Sequence, residues 1–370
     1  MPDPNWLDWD VVAAAEPVAP TTVSATDHLY LLYTSGTSGR PKGVVRDNGG
    51  HAVAPAWSMR HIYDIGPGQT MWSASDVVWV VGHSYIVYAP LLVGATTVLF
   101  EGKPVGTPDA GALWRVIADH RVDTLFTAPT ALRAIRKVDP DATLLADYDT
   151  TSLRTLFTAG ERLDPATYAW GGDTLNVPVV DHWWQTETGW PVCANLRGFE
   201  LMPTKPGSPS VPVPGFRLAI LDDDGRALTE SGQEGTIALK LPLPPGTLTG
   251  LWNDSHRFTS SYLMAFDGFY DTGDSGYVDD DGYLFVLGRT DDVINMAGHR
   301  LSTGRLEAVI ASHPAIAENT VIGVPDELKG QHPSTYIVLK SGSWIDSSTL
   351  RHELATLVRQ QVGAIAALHD

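Results

Sequence analysis

The sequence is poor in several features that define other classes of protein. Its only cysteine is Cys193, so no disulfide can form within the chain, which fits a reducing compartment. Residues 1–4 show neither the basic nor the apolar part of a secretory signal. The most apolar segment, Tyr85–Phe100, is interrupted by Pro90 and Gly94, which makes it a poor membrane span. We therefore predict a cytoplasmic protein without a membrane partner.

Positive charge is also scarce, with 25 Lys and Arg against 43 Asp and Glu, and the net charge is −18. Such a chain repels polyanions, so we predict no nucleic-acid partner, and any anionic small molecule must be held by a local group of cations. The length of 370 residues exceeds a usual single core and predicts two domains. With 43% apolar and 18% charged residues, the composition is that of a globular protein.

A loop rich in glycine and hydroxyl groups follows the apolar run Leu29–Leu32. From Tyr33 to Gly43 it reads YTSGTSGRPKG. Glycines allow close backbone approach, and hydroxyls and two cations supply donors, so the loop is suited to phosphate oxygens. A solvated turn is the alternative, because such clusters are ordinary loop signals. A Walker A loop is excluded, because Pro41 precedes Lys42 and a glycine follows it.

The order of apolar runs and turn residues predicts an α/β fold. Strand-like runs alternate with helical stretches up to about residue 220, which predicts a mostly parallel sheet with helices on its faces. Asp-Gly pairs at 224, 267 and 281 then predict hairpins in an antiparallel, barrel-like subdomain. The predicted strands are Leu29–Leu32, Thr96–Phe100, Val122–Phe126, Leu153–Phe157, Val177–Val180 and Asn319–Val324, and the predicted helices are Ala110–His120, Ala131–Lys137, Gly304–Ser312 and Ser347–Val362.

Four segments follow from this texture. We predict a partial α/β ATP- and acyl-binding subdomain at 1–206 and a β-rich subdomain at 207–288. A hinge at 289–292 then leads to a truncated C-terminal α/β domain at 293–370.

A second polar cluster, DHWWQTETG from Asp181 to Gly189, follows the apolar strand Val177–Val180. Ligands of open α/β sheets bind beyond the carboxyl ends of the strands, so this cluster is well positioned for one. Trp183 or Trp184 offers a flat face for a purine, and Glu187 offers an oxygen ligand for Mg²⁺. The alternative is two core tryptophans beside a solvated glutamate.

These segments together resemble the AMP-forming, adenylate-forming enzymes, which include acyl-CoA synthetases, peptide-synthetase adenylation domains and luciferases. The resemblance covers essentially the whole chain and is closest to short-chain acyl-CoA synthetases of the propionate-CoA ligase type. The family resemblance rests on YTSGTSGRPKG, TAGER at 158–162, DHWWQTETG, YDTGD at 270–274, GRTDD at 288–292 and NMAGHRLS at 295–302, which occur in the order of the family. The likeness to propionate-CoA ligase rests on VVRDNGG at 44–50, EGKPVGTPDAG at 101–111 and KLPLPPG at 240–246.

The resemblance implies roles for residues around a nucleotide. The phosphates would meet the loop from Thr34 to Lys42, with Thr186 as a further contact, and Glu187 would bind Mg²⁺. The loop residues concerned are Ser35, Gly36, Thr37, Ser38 and Gly39. The residues implied at or near adenine are Gly160, Glu161, Arg162 (where many relatives have proline), Asp181, His182, Trp183 and Gln185.

The later motifs complete the implied site. Asp274 would accept hydrogen bonds from the ribose hydroxyls, and Arg289 would join it. Asp291 matches the hinge between the large and small domains, about which the small domain rotates between the two half-reactions. Arg300 would meet phosphate in one state, and Gly298 would border the pantetheine channel.

The acyl pocket would be lined by Trp79, Val80, Val81, Ala159 and Trp184. Acetate-specific relatives carry valine and threonine where this chain has Ala159 and Val81. The smaller alanine should make room for one more substrate carbon, worth about 1–3 kcal/mol of selectivity. His83 belongs to the same apolar segment, which lines the carboxylate pocket in short-chain relatives. The alternative is that His83 is a histidine of the protein core.

Two departures from the family pattern qualify the expected activity. Few residues precede the phosphate loop, and the last lysine is Lys340, so the C-terminal lysine that binds the carboxylate in relatives is absent. We therefore expect an internal piece of a longer ligase, with an exposed sheet edge that favours self-association.

The expected reaction uses ATP, Mg²⁺ and coenzyme A to convert propionate to propionyl-AMP and then propionyl-CoA. An acetate ligase and a truncated, non-catalytic nucleotide-binding chain remain the alternatives.

Overall fold

The computed structural model describes residues 9–34, 40–290, 292–296, 299–326, 329–340 and 343–363. One parallel sheet and several antiparallel sheets are flanked by helices, which confirms the α/β fold class. The strands, in chain order, are β1 His28–Thr34, β2 Lys42–Asp47, β3 Thr70–Ala74, β4 Thr96–Thr97, β5 Thr124–Thr127, β6 Thr155–Thr158, β7 Val179–Asp181, β8 Cys193–Ala194, β9 Val211–Pro212, β10 Leu218–Leu221, β11 Gly235–Lys240, β12 Gly250–Leu251, β13 Phe269–Val278, β14 Leu284–Arg289, β15 Val293–Met296, β16 His299–Ser302, β17 Ile316–Asp326 and β18 Gly330–Leu339.

Helices connect and cover these strands. None of the helices in the described ranges is long and apolar enough to cross a bilayer. A π-helical turn spans Gly82–Tyr88 and a 3₁₀ turn spans Thr143–Asp147. The α-helices are α1 Trp9–Ala13, α2 Asn48–His61, α3 Ala89–Leu92, α4 Ala112–His120, α5 Pro129–Val138, α6 Pro165–Leu175, α7 Ser255–Tyr262, α8 Thr303–Ala311 and α9 Ser347–Gln361.

The parallel sheet has the strand order β4-β3-β5-β6-β7. Four predicted strands lie in it, with bounds that differ from the prediction by up to three residues. The strand β3 beside β5 was not predicted. Successive residues of each strand face opposite sides, so Leu125 and Leu156 pack with the helical layer while Phe126 and Phe157 pack toward the antiparallel part. Both faces are therefore buried, as parallel sheets require.

The predicted place of the first strand in the parallel sheet is wrong. β1 pairs antiparallel with β2, which also pairs with β12, in a separate three-stranded sheet. The register joins Thr34 to Lys42, so the two strands lie on either side of the loop predicted to bind phosphate. Only a short loop separates them, and a parallel pairing would need a long crossover connection. The loop residues 35–39 lie outside the described part of the chain.

The segment 207–288 contains an antiparallel sheet, as predicted. One sheet has the order β10-β11-β13-β14, and a turn at Asp281-Gly282 joins its last two strands. Asp267-Gly268 precedes β13 and does not join paired strands, so that hairpin prediction is wrong. The C-terminal sheet has the order β16-β15-β18-β17 and packs with α8 and α9. The predicted segment boundaries stay predictions, and Asp291 lies outside the described residues.

Helix α8 makes a close backbone contact with β14. The Ser302 hydroxyl at its N-cap accepts a hydrogen bond from the Arg305 N–H at 3.2 Å. A Cβ at Gly304 would overlap the carbonyl oxygen of Leu287, so only glycine allows this approach. Arg305 also forms an ion pair with Glu234 of the antiparallel segment. These contacts join α8 to the antiparallel sheet that contains β14.

We predict that Gly304→Ala lowers the free energy of unfolding by about 1–3 kcal/mol, because the new methyl group forces α8 away from β14. Thermal or urea unfolding measures the effect. The matched control is Gly250→Ala in β12, where a Cβ meets no atom within 4 Å. Equal stability of the two variants would contradict the close contact at position 304.

Candidate active site

A cleft of about 1620 Å³ opens at the carboxyl ends of the parallel strands and extends to the C-terminal sheet. Residues from separate predicted motifs meet here, together with Thr303 and Glu307 of α8. The predicted site residues that line the cleft are Gly160, Glu161, Arg162, Asp181, His182, Trp183, Trp184, Gln185, Glu187, Asp274 and Arg289.

Asp181 lies at the end of β7, beside the end of β6. Its Oδ1 accepts hydrogen bonds from the Thr158 hydroxyl at 3.1 Å and the His182 N–H at 3.0 Å. Burial raises the pKa of Asp181 to about 7, although these hydrogen bonds act in the opposite direction. Its pKa therefore lies well above the ordinary range of a carboxyl group.

The ring of His182 is used within the protein core. Its Nδ1 lies 2.6 Å from the carbonyl oxygen of Thr158, and its Nε2 lies 2.7 Å from the hydroxyl of Tyr63. Burial lowers the pKa of His182 to about 4, so the ring is neutral. Nδ1 then donates to the carbonyl and Nε2 accepts from Tyr63, which leaves no ring nitrogen for a ligand.

Asp274 of β13 is the centre of a buried hydrogen-bond network. Its Oδ2 accepts from Gln185 Nε2 at 2.6 Å and from Trp183 Nε1 at 3.2 Å. Arg289 of β14 lies 3.5 Å from Oδ1 and also donates to the carbonyl of Thr272. Burial raises the pKa of Asp274 to about 6, opposed first by the Arg289 charge. The structure thus brings together residues of three predicted motifs.

Glu187, two residues after Gln185 in the chain, lies beside Lys42. Lys42 Nζ lies 3.5 Å from Glu187 Oε1. Between them stands Tyr262, whose hydroxyl accepts from Lys42 and donates to Glu187, each at 2.7 Å. Sequence reasoning missed Tyr262, since it lies in the helix α7, far along the chain from both partners.

Thr34 and Thr186 have different surroundings. The Thr34 hydroxyl is buried and has no hydrogen-bond partner among the described residues. The carbonyl of Thr186 accepts a hydrogen bond from Arg46. Gly298 lies outside the described residues, and so does the side chain of Arg300, whose backbone is part of β16.

Arg46 was also missed as a site residue. Its side chain is 0% exposed, and it donates to the carbonyl oxygens of Thr186, Glu187 (3.0 Å) and Gly246 (2.8 Å). A Cβ at Gly189 would lie 2.7 Å from the guanidinium carbon, which explains the glycine that ends the predicted motif. A lone arginine among the buried residues of β2 was the available signal.

The segment after β6 contains three predicted site residues: Gly160, Glu161 and Arg162. Gly160 has φ +98°, a conformation that favours glycine. Glu161 accepts from the Thr130 N–H at 2.6 Å and from Arg133 at 2.5 Å, so its carboxylate is held at the start of α5. Arg162 is exposed at the cleft.

The predicted acyl-pocket residues are only partly brought together. Ala159, Val81 and Trp184 pack in one apolar cluster, and the Trp184 ring meets Tyr85 edge-on at 5.4 Å. Val80 is buried nearby in the chain, whereas Trp79 is 65% exposed. The structure therefore supplies an apolar wall at Trp184 and Ala159 without Trp79.

Comparison with known proteins identifies the family. The family model described as AMP-binding enzyme matches residues 2–252, and the model for its C-terminal domain matches residues 305–370. The anthranilate CoA ligase AuaEII, solved with anthranoyl-AMP, has a similar fold, with a TM-score of 0.80 and 24% identity. That similarity covers 95% of this chain and 64% of the ligase chain.

Curated relatives are similar over nearly the whole chain. An uncharacterized protein of Pseudomonas aeruginosa is 55% identical over 97% of this chain and 57% of its own length. The human mitochondrial acyl-CoA synthetase short-chain family member 3 is 50% identical, over 98% and 53%. The propionate–CoA ligase of Escherichia coli is 44% identical, over 95% and 56%. The chain spans little more than half the length of these relatives, and it belongs to the family of AMP-binding enzymes.

Proposed function

We propose that the chain carries the nucleotide and acyl site of an AMP-forming short-chain acyl-CoA ligase. The observation that carries the proposal is the meeting of Glu187, Gln185, Asp274 and Arg289 at one cleft, with Lys42 3.5 Å from Glu187. The proposed reaction joins propionate to ATP, giving propionyl-AMP and pyrophosphate. The thiol of coenzyme A then displaces AMP to give propionyl-CoA. The names of the human and Escherichia coli relatives support this class of substrate.

The residues of this chain act mainly by positioning and by charge. The Lys42 ammonium and the loop 35–39 would hold phosphate oxygens, with Thr34 and Thr186 as hydroxyl donors. Arg300 would reach phosphate in one arrangement of the C-terminal domain, and Gly298 would border coenzyme A. Rotation at the hinge Asp291 would exchange the two arrangements.

Glu187 fits a Mg²⁺ ion that arrives with ATP. The described residues contain no cluster of three or more metal-ligating side chains. Mg²⁺ commonly takes one or two protein carboxylates and completes its shell with phosphate oxygens and water. Glu187 supplies such a carboxylate at the cleft, and the ion would offset phosphate charge when bound.

Asp274 and Arg289 would bind the ribose, since a carboxylate can accept from both hydroxyls. Adenine would lie against Trp183 and the backbone of Gly160, with Asp181 within the same end of the cleft. Gln185 would keep Asp274 in place through the 2.6 Å hydrogen bond. The ring of His182 would support this end of the cleft through its hydrogen bonds to Thr158 and Tyr63, without a ring nitrogen for the nucleotide.

Propionate is favoured over acetate by the small side chain of Ala159, which is buried in the cluster that contains Trp184. The acetate ligase remains the second candidate, because the human relative's name specifies only short chains. The cytoplasmic location remains a prediction from composition, since that relative is named as mitochondrial.

We predict that the chain binds a non-hydrolysable propionyl-adenylate mimic more tightly than the acetyl mimic. Ala159→Val should shift the ratio of the two affinities toward acetyl by about tenfold or more, because the added methyl groups fill the space of one substrate carbon. Isothermal titration calorimetry measures both affinities.

The same substitution at Ala166, exposed at the rim of the cleft in α6, is the control and should leave the ratio unchanged. An unchanged ratio of propionyl to acetyl affinity in Ala159→Val would contradict the assignment of Ala159 to the acyl pocket. Absence of binding by the folded wild-type chain would favour the non-catalytic alternative.

We predict that affinity for the propionyl mimic rises between pH 5 and 7. Burial raises the pKa of Asp274 to about 6, so the carboxylate that accepts from the ribose forms only as pH passes through that value. Asp181, with a pKa of about 7, should extend the rise toward neutral pH. Asp274→Asn should bind about tenfold more weakly at pH 7.5 and show a flatter pH profile, because an amide presents a single acceptor without charge.

Calorimetry at several pH values checks this, with Asp280→Asn on an exposed turn as the control. A wild-type affinity that falls with rising pH would contradict ribose binding by the ionised Asp274.

A further inference from the structure

Tyr262 connects the two opposite charges at the phosphate end of the cleft. The hydroxyl accepts from Lys42 Nζ and donates to Glu187 Oε1, both at 2.7 Å, while the two charged groups are 3.5 Å apart. A hydroxyl has one hydrogen, so a partner that only donates and a partner that only accepts fit it in one orientation. The residue is the last of α7 and is 6% exposed.

The ring of Tyr262 is held independently of its hydroxyl. It stacks on Tyr270 with centroids 5.2 Å apart and planes 9° apart, and Phe258 packs beside it at 6.0 Å. At the other end of α7, Arg257 donates to the carbonyl of Arg40 at 2.8 Å. The helix therefore contacts both the end of the phosphate loop and the side chain of Glu187.

The hydroxyl donates its one hydrogen to Oε1 of Glu187, so this contact occupies that carboxylate oxygen. Oε2 has no hydrogen-bond partner in the part of the chain that the structure describes, and it is available to a cation.

Direct pairing of the two charges would compete with ligand binding. Ammonium–carboxylate pairs that close to about 2.8 Å form charge-assisted hydrogen bonds, which are stronger than neutral ones. The inserted hydroxyl keeps Lys42 and Glu187 beyond that distance. The remaining donors of Lys42 and the Oε2 atom of Glu187 are then kept for groups that enter the cleft.

We propose that Tyr262 is a positioning residue for Mg²⁺ and the ATP phosphates, acting through Glu187 and Lys42. This inference rests on the proposed function. The hydroxyl fixes one carboxylate oxygen so that the other meets the ion, and it takes the place of a direct hydrogen bond between Lys42 and the carboxylate. No part of this role requires Tyr262 to touch the substrate.

The test is Tyr262→Phe, which keeps the ring stacked on Tyr270 and removes only the hydroxyl. We expect ATP binding at saturating Mg²⁺ to weaken about tenfold, as for a lost hydrogen bond to a charged group. The Mg²⁺ concentration needed for half-maximal ATP binding should rise. Affinity for the propionyl-adenylate mimic, which lacks the two outer phosphates and needs no Mg²⁺, should change by less than about twofold. Calorimetry with ATP at stepped Mg²⁺ concentrations gives all three values.

Tyr283→Phe is the matched control, because it removes a hydroxyl that donates to the carbonyl of Pro203 at 2.7 Å. It should bind ATP and the mimic as the wild type does. In a Glu187→Gln background, Tyr262→Phe should add little further loss, since two residues that act through one contact are not additive. Near-wild-type affinity of Tyr262→Phe for the adenylate mimic shows that the single variant is folded.

Unchanged ATP binding and Mg²⁺ dependence in Tyr262→Phe would overturn the inference alone. Equal losses for ATP and the mimic, or full additivity with Glu187→Gln, would reduce Tyr262 to a general structural role and overturn it as well. A wild-type chain that binds neither ligand would overturn the proposed function, and this inference with it.

Discussion

A single buried guanidinium joins the stretches of chain that hold Lys42 and Glu187 side by side. Arg46 donates to the backbone of Thr186, Glu187 and Gly246, which lie far apart in the chain. Burying a charge is costly unless its donors are satisfied, and the two terminal nitrogens of Arg46 meet three carbonyls, although its Nε has no hydrogen-bond partner among the described residues. Because Lys42 begins the same strand β2, the spacing of Lys42 and Glu187 is set through the backbone. The side-chain contact at Tyr262 refines a geometry that this arginine establishes.

The ends of β6 and β7 supply the second constraint. Parallel strands end at one edge of a sheet, so Thr158 and Asp181 are neighbours whatever follows them, and a 3.1 Å hydrogen bond joins their side chains. The chain after β7 then turns back on itself, with Trp183 paired to Cys193. This turn directs Gln185 toward Asp274 of the antiparallel sheet. A link between the two sheets therefore passes through residues that also line the cleft.

Sequence reasoning found what local pattern and chain order encode. A polar cluster after an apolar run indicated Asp181, and the Asp-Gly turns indicated an antiparallel sheet. Tyr262 and Arg46 were missed because their partners are set by tertiary packing: the hydroxyl of Tyr262 meets Lys42 across 220 positions of sequence. The antiparallel pairing of β1 was missed because an apolar run alone does not encode its partner strand. Trp79 was placed by resemblance in a pocket, and the structure leaves it exposed.

The acidity of the chain and the affinity for anions proposed here are reconciled locally. Several acids around the cleft have a cation beside them: Glu187 lies 3.5 Å from Lys42, and Asp274 lies 3.5 Å from Arg289. Asp181 has no ion-pair partner among the described residues, yet burial raises its pKa to about 7 and leaves it only partly charged. An approaching phosphate therefore meets far less negative charge than the net −18 implies, and exposed charges elsewhere are screened within about 8–10 Å by salt. The composition alone predicts that an anionic ligand is repelled. The pairing or protonation of a few acids at the cleft reduces that repulsion.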